Sequence, residues 1–192
     1  MKEISLSKAA EISSGLVINR FRRKNESSGL KKLYKYQHVT LKSVENNNID
    51  LNLLETIESE REIDDKYLLK KGDIIIKLSP PYNAAFVNFD LGNIVVPQNF
   101  AIIRSMDNFD PEYLSYILNS QNIRNQLQRR VEGGALPIIK LSSLNQVKLK
   151  QIDLKIQHKY AKLFSLLSRK KELKKRIIEL EAILTENILS NL

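Results

Sequence analysis

No cysteine occurs among the 192 residues, so disulfides, thiolate metal sites and a cysteine nucleophile are excluded. Histidine is nearly as scarce. Only His38 and His158 are present, far apart in sequence, and no HExxH or comparable spacing offers zinc a site without carboxylate help. A lone histidine in each segment reads first as structural. No apolar run approaches the ~18 residues that span a bilayer. The opening MKEISLSKAAEISSG carries acids and lacks an apolar core of signal-peptide length, so a soluble cytoplasmic chain with no membrane contact is the expectation. The glycines (Gly15, Gly29, Gly72, Gly92, Gly133 and Gly134) are too sparse to form a tether and punctuate turns instead. No internal repeat or low-complexity linker is visible.

What is present is basic charge. The net charge is +9 and the pI is about 9.6, close to the range where a polyanionic partner becomes a serious hypothesis. The charge is also unevenly placed. Lys2 to Lys35 holds nine bases against three acids, including Arg20, Arg22, Arg23 and Lys24, whereas Glu45 to Asp65 holds eight acids against one arginine. A basic face beside an acidic one orients a protein on a polyanion. Hydrophobic residues at 42% and charged residues at 28% are ordinary for a globular chain.

The first 150 or so residues read as mixed α and β. Ile74–Ser79, Ala84–Phe89, Asn93–Val96 and Phe100–Arg104 are short apolar or β-branched runs, expected as strands. Turn residues divide them at Gly72-Asp73, Pro80-Pro81, Asp90 to Asn93 and Pro97. Asp110-Pro111-Glu112 places an N-cap, a first-turn proline and a first-turn acid in order, which predicts a helix from Pro111 to about Arg130. It should bury Leu114, Ile117, Leu118 and Leu127 and end at Gly133-Gly134. Leu136–Leu144 and Gln146–Ile152 are then expected as strands around a brief turn.

From about Leu154 the pattern changes, with neither glycine nor proline to the last residue. Heptads place Ile156, Leu163, Lys170, Ile177, Leu184 and Asn191 at a, and Lys159, Leu166, Leu173, Leu180 and Asn187 at d. That is a coiled-coil seam with polar interruptions, in which Lys170 and Asn187 set register. The seam residues Ile156, Leu163, Leu166, Leu173, Ile177, Leu180 and Leu184 are the candidate dimer or partner face. A helix of roughly 55 Å exceeds what one small domain can cover, so it calls for a second copy, another subunit or an antiparallel helix supplied in trans. RKKELKKR, Arg169–Arg176, carries six bases in eight residues and reads as a solvated helix face. The architecture expected is α+β: a mixed α/β globular domain over residues 1–152, then a long coiled-coil-forming helix over 153–192.

Three catalytic patterns were tested against this layout. Ser79-Pro80-Pro81-Tyr82 spells a tetrapeptide used by DNA amino-methyltransferases to cradle an exocyclic amine. Such an enzyme also needs a Gly-rich cofactor turn in a parallel βαβ sheet, and no glycine pair has G-x-G spacing. Asp64-Asp65-Lys66 fits D-x-K formally, with Asp73 and Lys77 nearby, but reads as a polar surface stretch and not as a nuclease strand. No G-x-S-x-G context supports a serine nucleophile.

The order of five blocks resembles a family. LSKAAEISSGLVINRFR, YLLKKGDIIIKLSPPYNAAFV, NIVVPQNFAIIR, DPEYLSYILNSQNIRNQL and GGALPIIKLSSLNQVKL, ending in the long helix after Gln157, are similar to type I restriction-modification specificity subunits. The resemblance spans essentially the whole chain. It implies a short helix before the Ser-Gly turn, a target-recognition domain that reads one half of a bipartite DNA site, and a helical spacer that docks methyltransferase subunits. It further implies a non-catalytic chain with no cofactor of its own. S-adenosylmethionine, ATP and Mg²⁺ are expected on partner subunits, a methyltransferase and an ATP-dependent translocase/nuclease. The pattern departs from the family in lacking prolines before the helix, and in holding one recognition domain and one spacer where two of each are usual. It therefore resembles a half-length form, expected to act as a homodimer or with another half. The candidate double-stranded DNA contacts are Arg20, Arg22, Arg23, Lys24, Lys31, Lys32, Lys35, Lys77, Tyr82, Asn83, Arg129, Arg130 and Lys140. The proline pair would stiffen the turn that offers Tyr82 and Asn83. A basic coiled-coil DNA-binding dimer without a methyltransferase partner, as a repressor or anti-restriction factor, is the alternative.

Overall fold

A computed structural model describes residues 2–22, 32–45, 47–90, 92–130 and 138–191. Among these the chain forms β1 (Lys2–Ser5), β2 (Ala10–Ser14), β3 (Tyr34–His38), β4 (Val44–Glu45), β5 (Asn48–Ile49), β6 (Glu55–Ser59), β7 (Ile74–Lys77), β8 (Ala84–Phe86), β9 (Ile94–Val95) and β10 (Phe100–Ser105). There follow α1 (Pro111–Leu118), α2 (Gln121–Gln128), α3 (Leu141–Asn145), β11 (Lys148–Gln151) and α4 (Leu154–Ser190). The expected α+β class, mixed strands and short helices followed by one long helix, is the fold observed.

A four-stranded antiparallel sheet in the order β2-β10-β7-β8 forms the centre. Its middle strands are apolar on both faces because both faces are covered. Ile74 and Ile76 of β7, with Ala101 and Ile103 of β10, face a layer built from β1, β11, α1, α2 and α3. Ile75, Phe100 and Ile102 face the opposite way, against Val39, the β4–β5 hairpin, Leu69 and Ile94. Beyond that layer a three-stranded sheet, β6-β3-β9, closes a smaller cluster around Tyr36, Ile57 and Ile63. Strand alternation thus assigns each isoleucine of the IIIK run to a layer.

Gly15 joins the sheets. Its N–H donates to the Phe100 carbonyl at 3.1 Å, and the Leu16 N–H donates to the Val96 carbonyl at 2.8 Å. A Cβ at position 15 would lie 2.0 Å from the Pro97 carbonyl oxygen. Only glycine fits this crossing.

Three local expectations change. The helix expected from Pro111 to Arg130 is two helices, because Ser120 adopts extended backbone and caps α2. The neighbouring Asn119 turns its amide to the β8 backbone, accepting from the Ala84 N–H at 3.0 Å and donating to the Ala84 carbonyl at 2.9 Å. Leu114, Leu118 and Leu127 are fully buried as expected, and Ile117 packs partly. The strand expected across Leu136–Leu144 is instead α3 over Leu141–Asn145. Leu141 and Leu144 are three residues apart and both pack on the same cluster, a helical period that the apolar run had masked. The short helix expected near the N-terminus is a single 3₁₀ turn, Leu6–Lys8, which leads into strand β2.

Candidate nucleic-acid interface

The basic residues fall into two groups. Arg20 ends a 3₁₀ turn, Ile18–Arg20, and Arg22 forms an isolated bridge with Ser59, the residue that Tyr34 of β3 also faces. Lys32 sits over the Tyr34 ring at 4.9 Å, and Lys35 lies 3.7 Å from Glu58 on β6. Arg20, Arg22, Lys32 and Lys35 are all exposed, so the structure gathers them at one end of the three-stranded sheet. Arg23, Lys24 and Lys31, like the Gly29 and Gly133-Gly134 turns, lie outside the described residues.

The second group sits on the helical layer. Arg129 is exposed at the end of α2. Arg130 donates to the Gln126 carbonyl at 2.9 Å and the Gln146 carbonyl at 3.5 Å, so its guanidinium holds α2 to the segment before β11. Lys140 is exposed at the N-cap of α3. No hydrogen bond or ion pair between described residues joins this group to the first.

Lys77, Tyr82 and Asn83 are a correction. They were expected on a turn offered to DNA, yet all three are packed inside, with Tyr82 only 1% exposed. The Pro80-Pro81 bond is cis and Tyr82 has φ of 57°, which turns its ring into the main core cluster. Burial pushes its phenol above the ordinary range. Arg124 of α2 holds the turn from outside. Its Nη1 donates to the Pro81 carbonyl at 2.9 Å, its Nη2 to Asn83 Oδ1 at 2.9 Å and its Nε to the Asn119 carbonyl at 3.1 Å. Burial lowers the Lys77 ammonium below the lysine range, with Arg124 adding to that effect and Glu45 opposing it. Proline stiffening was a sound reading of the sequence; the direction of the ring was not, because the layer that receives it comes from residues 35 to 45 positions later.

The acids singled out for a nuclease are engaged elsewhere. Asp64 caps the 3₁₀ turn Asp65–Tyr67 and lies 3.1 Å from Lys66. Asp73 accepts from Arg104 at 2.9 and 3.1 Å and from the Lys70 N–H at 3.1 Å. Among the described residues no group of three or more His, Cys, Asp or Glu side chains could hold a metal, and no helix is long and apolar enough to cross a membrane.

The base of α4 is fixed by Gln157, which is 0% exposed. Its amide accepts from the Asp110 N–H at 3.0 Å and donates to the carbonyls of Asn108 at 3.1 Å and Ile152 at 2.9 Å. Asp110 also caps α1 through the Tyr113 N–H and meets His158 Nδ1 at 2.7 Å. Rings continue the joint, Tyr113 with Tyr160 at 6.4 Å and Tyr116 with Phe164 at 5.4 Å. Beyond that joint the helix leaves the body. Every seam residue, from Ile156 and Leu163 through Leu166, Leu173, Ile177, Leu180 and Leu184, is at least 45% exposed. The Arg169–Arg176 run pairs within its own helix, Arg169 with Glu172 at 2.9 Å and Arg176 with Glu179 at 3.4 Å.

Comparison with known proteins places this architecture. Residues 10–182 match the family model described as the type I restriction modification DNA specificity domain. The HsdS subunit from Thermoanaerobacter tengcongensis is similar in structure, with a TM-score of 0.65 and 17% identity over 93% of this chain and 45% of that one. A chain from a study of assembly and conformational transition in the type I R-M system matches with a TM-score of 0.67 and 16% identity, again over 93% and 45%. The type I S subunit from M. genitalium gives 0.56 and 13%, over 93% and 42%. This chain thus spans less than half the length of each of those solved chains. No curated protein matches by sequence.

Proposed function

The chain belongs to the type I restriction-modification DNA specificity domain family, and from that premise we propose that it reads one half of a bipartite DNA site as part of a two-copy assembly. The observation that carries this reading is the unpartnered apolar seam on a helix whose base is locked to the globular body. A single body with a single projecting helix supplies half of what two-site reading requires. A second copy supplies the rest.

The seam favours one orientation. In a parallel pair the a-position Lys170 would face its own counterpart, placing two like charges together in the interface. In an antiparallel pair crossing between Ile178 and Glu179, Leu173 of one copy meets Leu184 of the other and Ile177 meets Leu180. Lys170 then faces Asn187, whose carbonyl accepts from the ammonium, and the flanking Lys174 lies beside Glu181. Two-fold symmetry points the two bodies at inverted half-sites.

Arg20, Arg22, Lys32 and Lys35 form the primary phosphate-facing group, with Arg129 and Lys140 as the secondary group. Arginine forks can also read guanine edges, whereas lysine mainly supplies salt-dependent attraction. Catalysis, S-adenosylmethionine, ATP and Mg²⁺ belong to methyltransferase and translocase/nuclease partners that dock along the helix. Methylome sequencing with this gene and a methyltransferase subunit is expected to give a symmetric bipartite motif. An asymmetric motif would replace the homodimer with a pair of unlike halves. Specific DNA binding without co-elution of a methyltransferase subunit would favour a stand-alone DNA-binding dimer.

A further inference from the structure

An open groove of about 590 Å³ runs between the 3₁₀ turn at Ile18–Arg20, the end of β3, the approach to β6 and the Pro97–Asn99 turn. Its size falls within the range of roughly 300–1,000 Å³ usual for small-ligand sites. Leu41, Leu53 and Pro97 give it apolar walls, with Leu41 and Leu53 more than 40% exposed. Arg22 and Lys42 place cations on its lining.

Two lining residues carry buried polar atoms with no hydrogen-bond partner among the described residues, His38 Nε2 and Asn99 Oδ1. No other described side chain has such an atom. Buried polar atoms normally find partners, so two on one groove point to a guest. The chemistry of that guest follows from the ring. His38 Nδ1 lies 3.2 Å from the Val39 carbonyl oxygen, which can only accept, so Nδ1 carries the proton and the neutral ring offers Nε2 as a lone pair. Asn99 Oδ1 is also an acceptor. Glu55, 3.5 Å from Nε2, adds a third acceptor and makes no hydrogen bond to the ring. The groove therefore asks for donors.

On the major-groove edge adenine and cytosine present an exocyclic amine, while guanine and thymine present acceptors only. A cationic side chain from a protein partner would also supply donors, but Arg22 and Lys42 oppose it and instead suit phosphates beside a base. We infer that this groove reads the exocyclic amine of one adenine or cytosine in the target DNA, with His38 Nε2 and Asn99 Oδ1 as acceptors and Arg22 and Lys42 on the flanking phosphates. The inference rests on the chain being a DNA reader, and it assigns specificity to residues that the charge pattern did not single out.

The test is selection of duplexes from a random pool by the full chain, beside His38→Phe and Asn99→Leu variants. Wild type should prefer A or C strongly at one position. Each variant should lose roughly five- to tenfold of that preference, the worth of one hydrogen bond, and keep its preferences elsewhere. Variants that select as wild type does would overturn the groove while leaving the DNA reading intact. A wild type that selects no sequence would overturn both. Loss of methyltransferase association with DNA selection unchanged would assign the groove to a protein partner and sink this proposal.

Histidine ring ¹⁵N spectra give a second readout that does not depend on the variants folding. With two histidines in the chain, a His158→Asn variant assigns both. His38 should show a bare Nε2 in the free protein, and its resonance should move on binding the selected duplex. An Nε2 already protonated against Glu55, or one that the duplex leaves unmoved, would overturn the assignment.

Discussion

The globular body and the outer part of α4 contain the same kinds of apolar residue and use them in opposite ways. In the body Ile74, Ile75, Ile76, Ile102 and Ile103 are at most 1% exposed. Along the helix Ile177, Ile178, Ile183 and Ile188 are at least 50% exposed. Burial of such a side chain is worth ~1.5–3 kcal/mol. The body has therefore realised that stabilisation within one chain, and the helix holds it for association. Stability of the first is a property of the monomer; stability of the second depends on concentration.

Three changes separate the two regions. The largest effect belongs to Gly15→Val, which forces a Cβ against the Pro97 carbonyl and parts the two sheets. It should lower body stability by about 4 kcal/mol or abolish folding, the upper range for a single substitution, as thermal unfolding will show. Next comes a joint change of Leu173, Ile177, Leu180 and Leu184 to serine. Light scattering should give a monomer, while the unfolding midpoint of the body stays within a degree or two because those side chains touch nothing in it. A fall of many degrees would mean the helix stabilises its own body.

The smallest effect tests the joint between the regions. Burial holds the Glu112 carboxyl above its ordinary value of 4.5, with Asp110 adding to the rise and a hydrogen bond from Ser165 on α4 opposing it. The folded chain thus binds this proton more tightly than the unfolded chain does. Its contribution is greatest at low pH and declines as pH rises from about 4.5 through the raised value. Glu112→Gln removes that slope, so the variant should gain on wild type between pH 4.5 and 7 in denaturant midpoints. A wild-type advantage that grows with pH would reverse the sign.

Much of this division was legible beforehand. The absence of glycine and proline after Leu154 and the a/d repeat gave the helix and its seam, since helical periodicity is local and survives without tertiary context. Asp110-Pro111-Glu112 gave the start of α1 for the same reason. Signals that depend on distant partners did not carry. Asn119 and Ser120 break a helix in part because β8 lies beside them to take an amide, and LSSL folds as α3 where the main core cluster receives Leu144. Tyr82 and Asn83 looked like a presented pair until α2 and Arg124 were in place around them. His38 was read as structural because nothing local shows that its Nε2 has no partner, while Asn99 attracted no attention at all.

Gln157 sits at the foot of a long lever. From Ala161 to Ser190 the helix extends about 44 Å, so an angular play of about 10° at the pin sweeps its tip through roughly 7.5 Å. At ~3.4 Å per base-pair step that sweep is about two steps of duplex. For a pair of such bodies the three hydrogen bonds of one buried amide act as a ruler, and the tolerance of the gap between two half-sites is set at residue 157, far from any base.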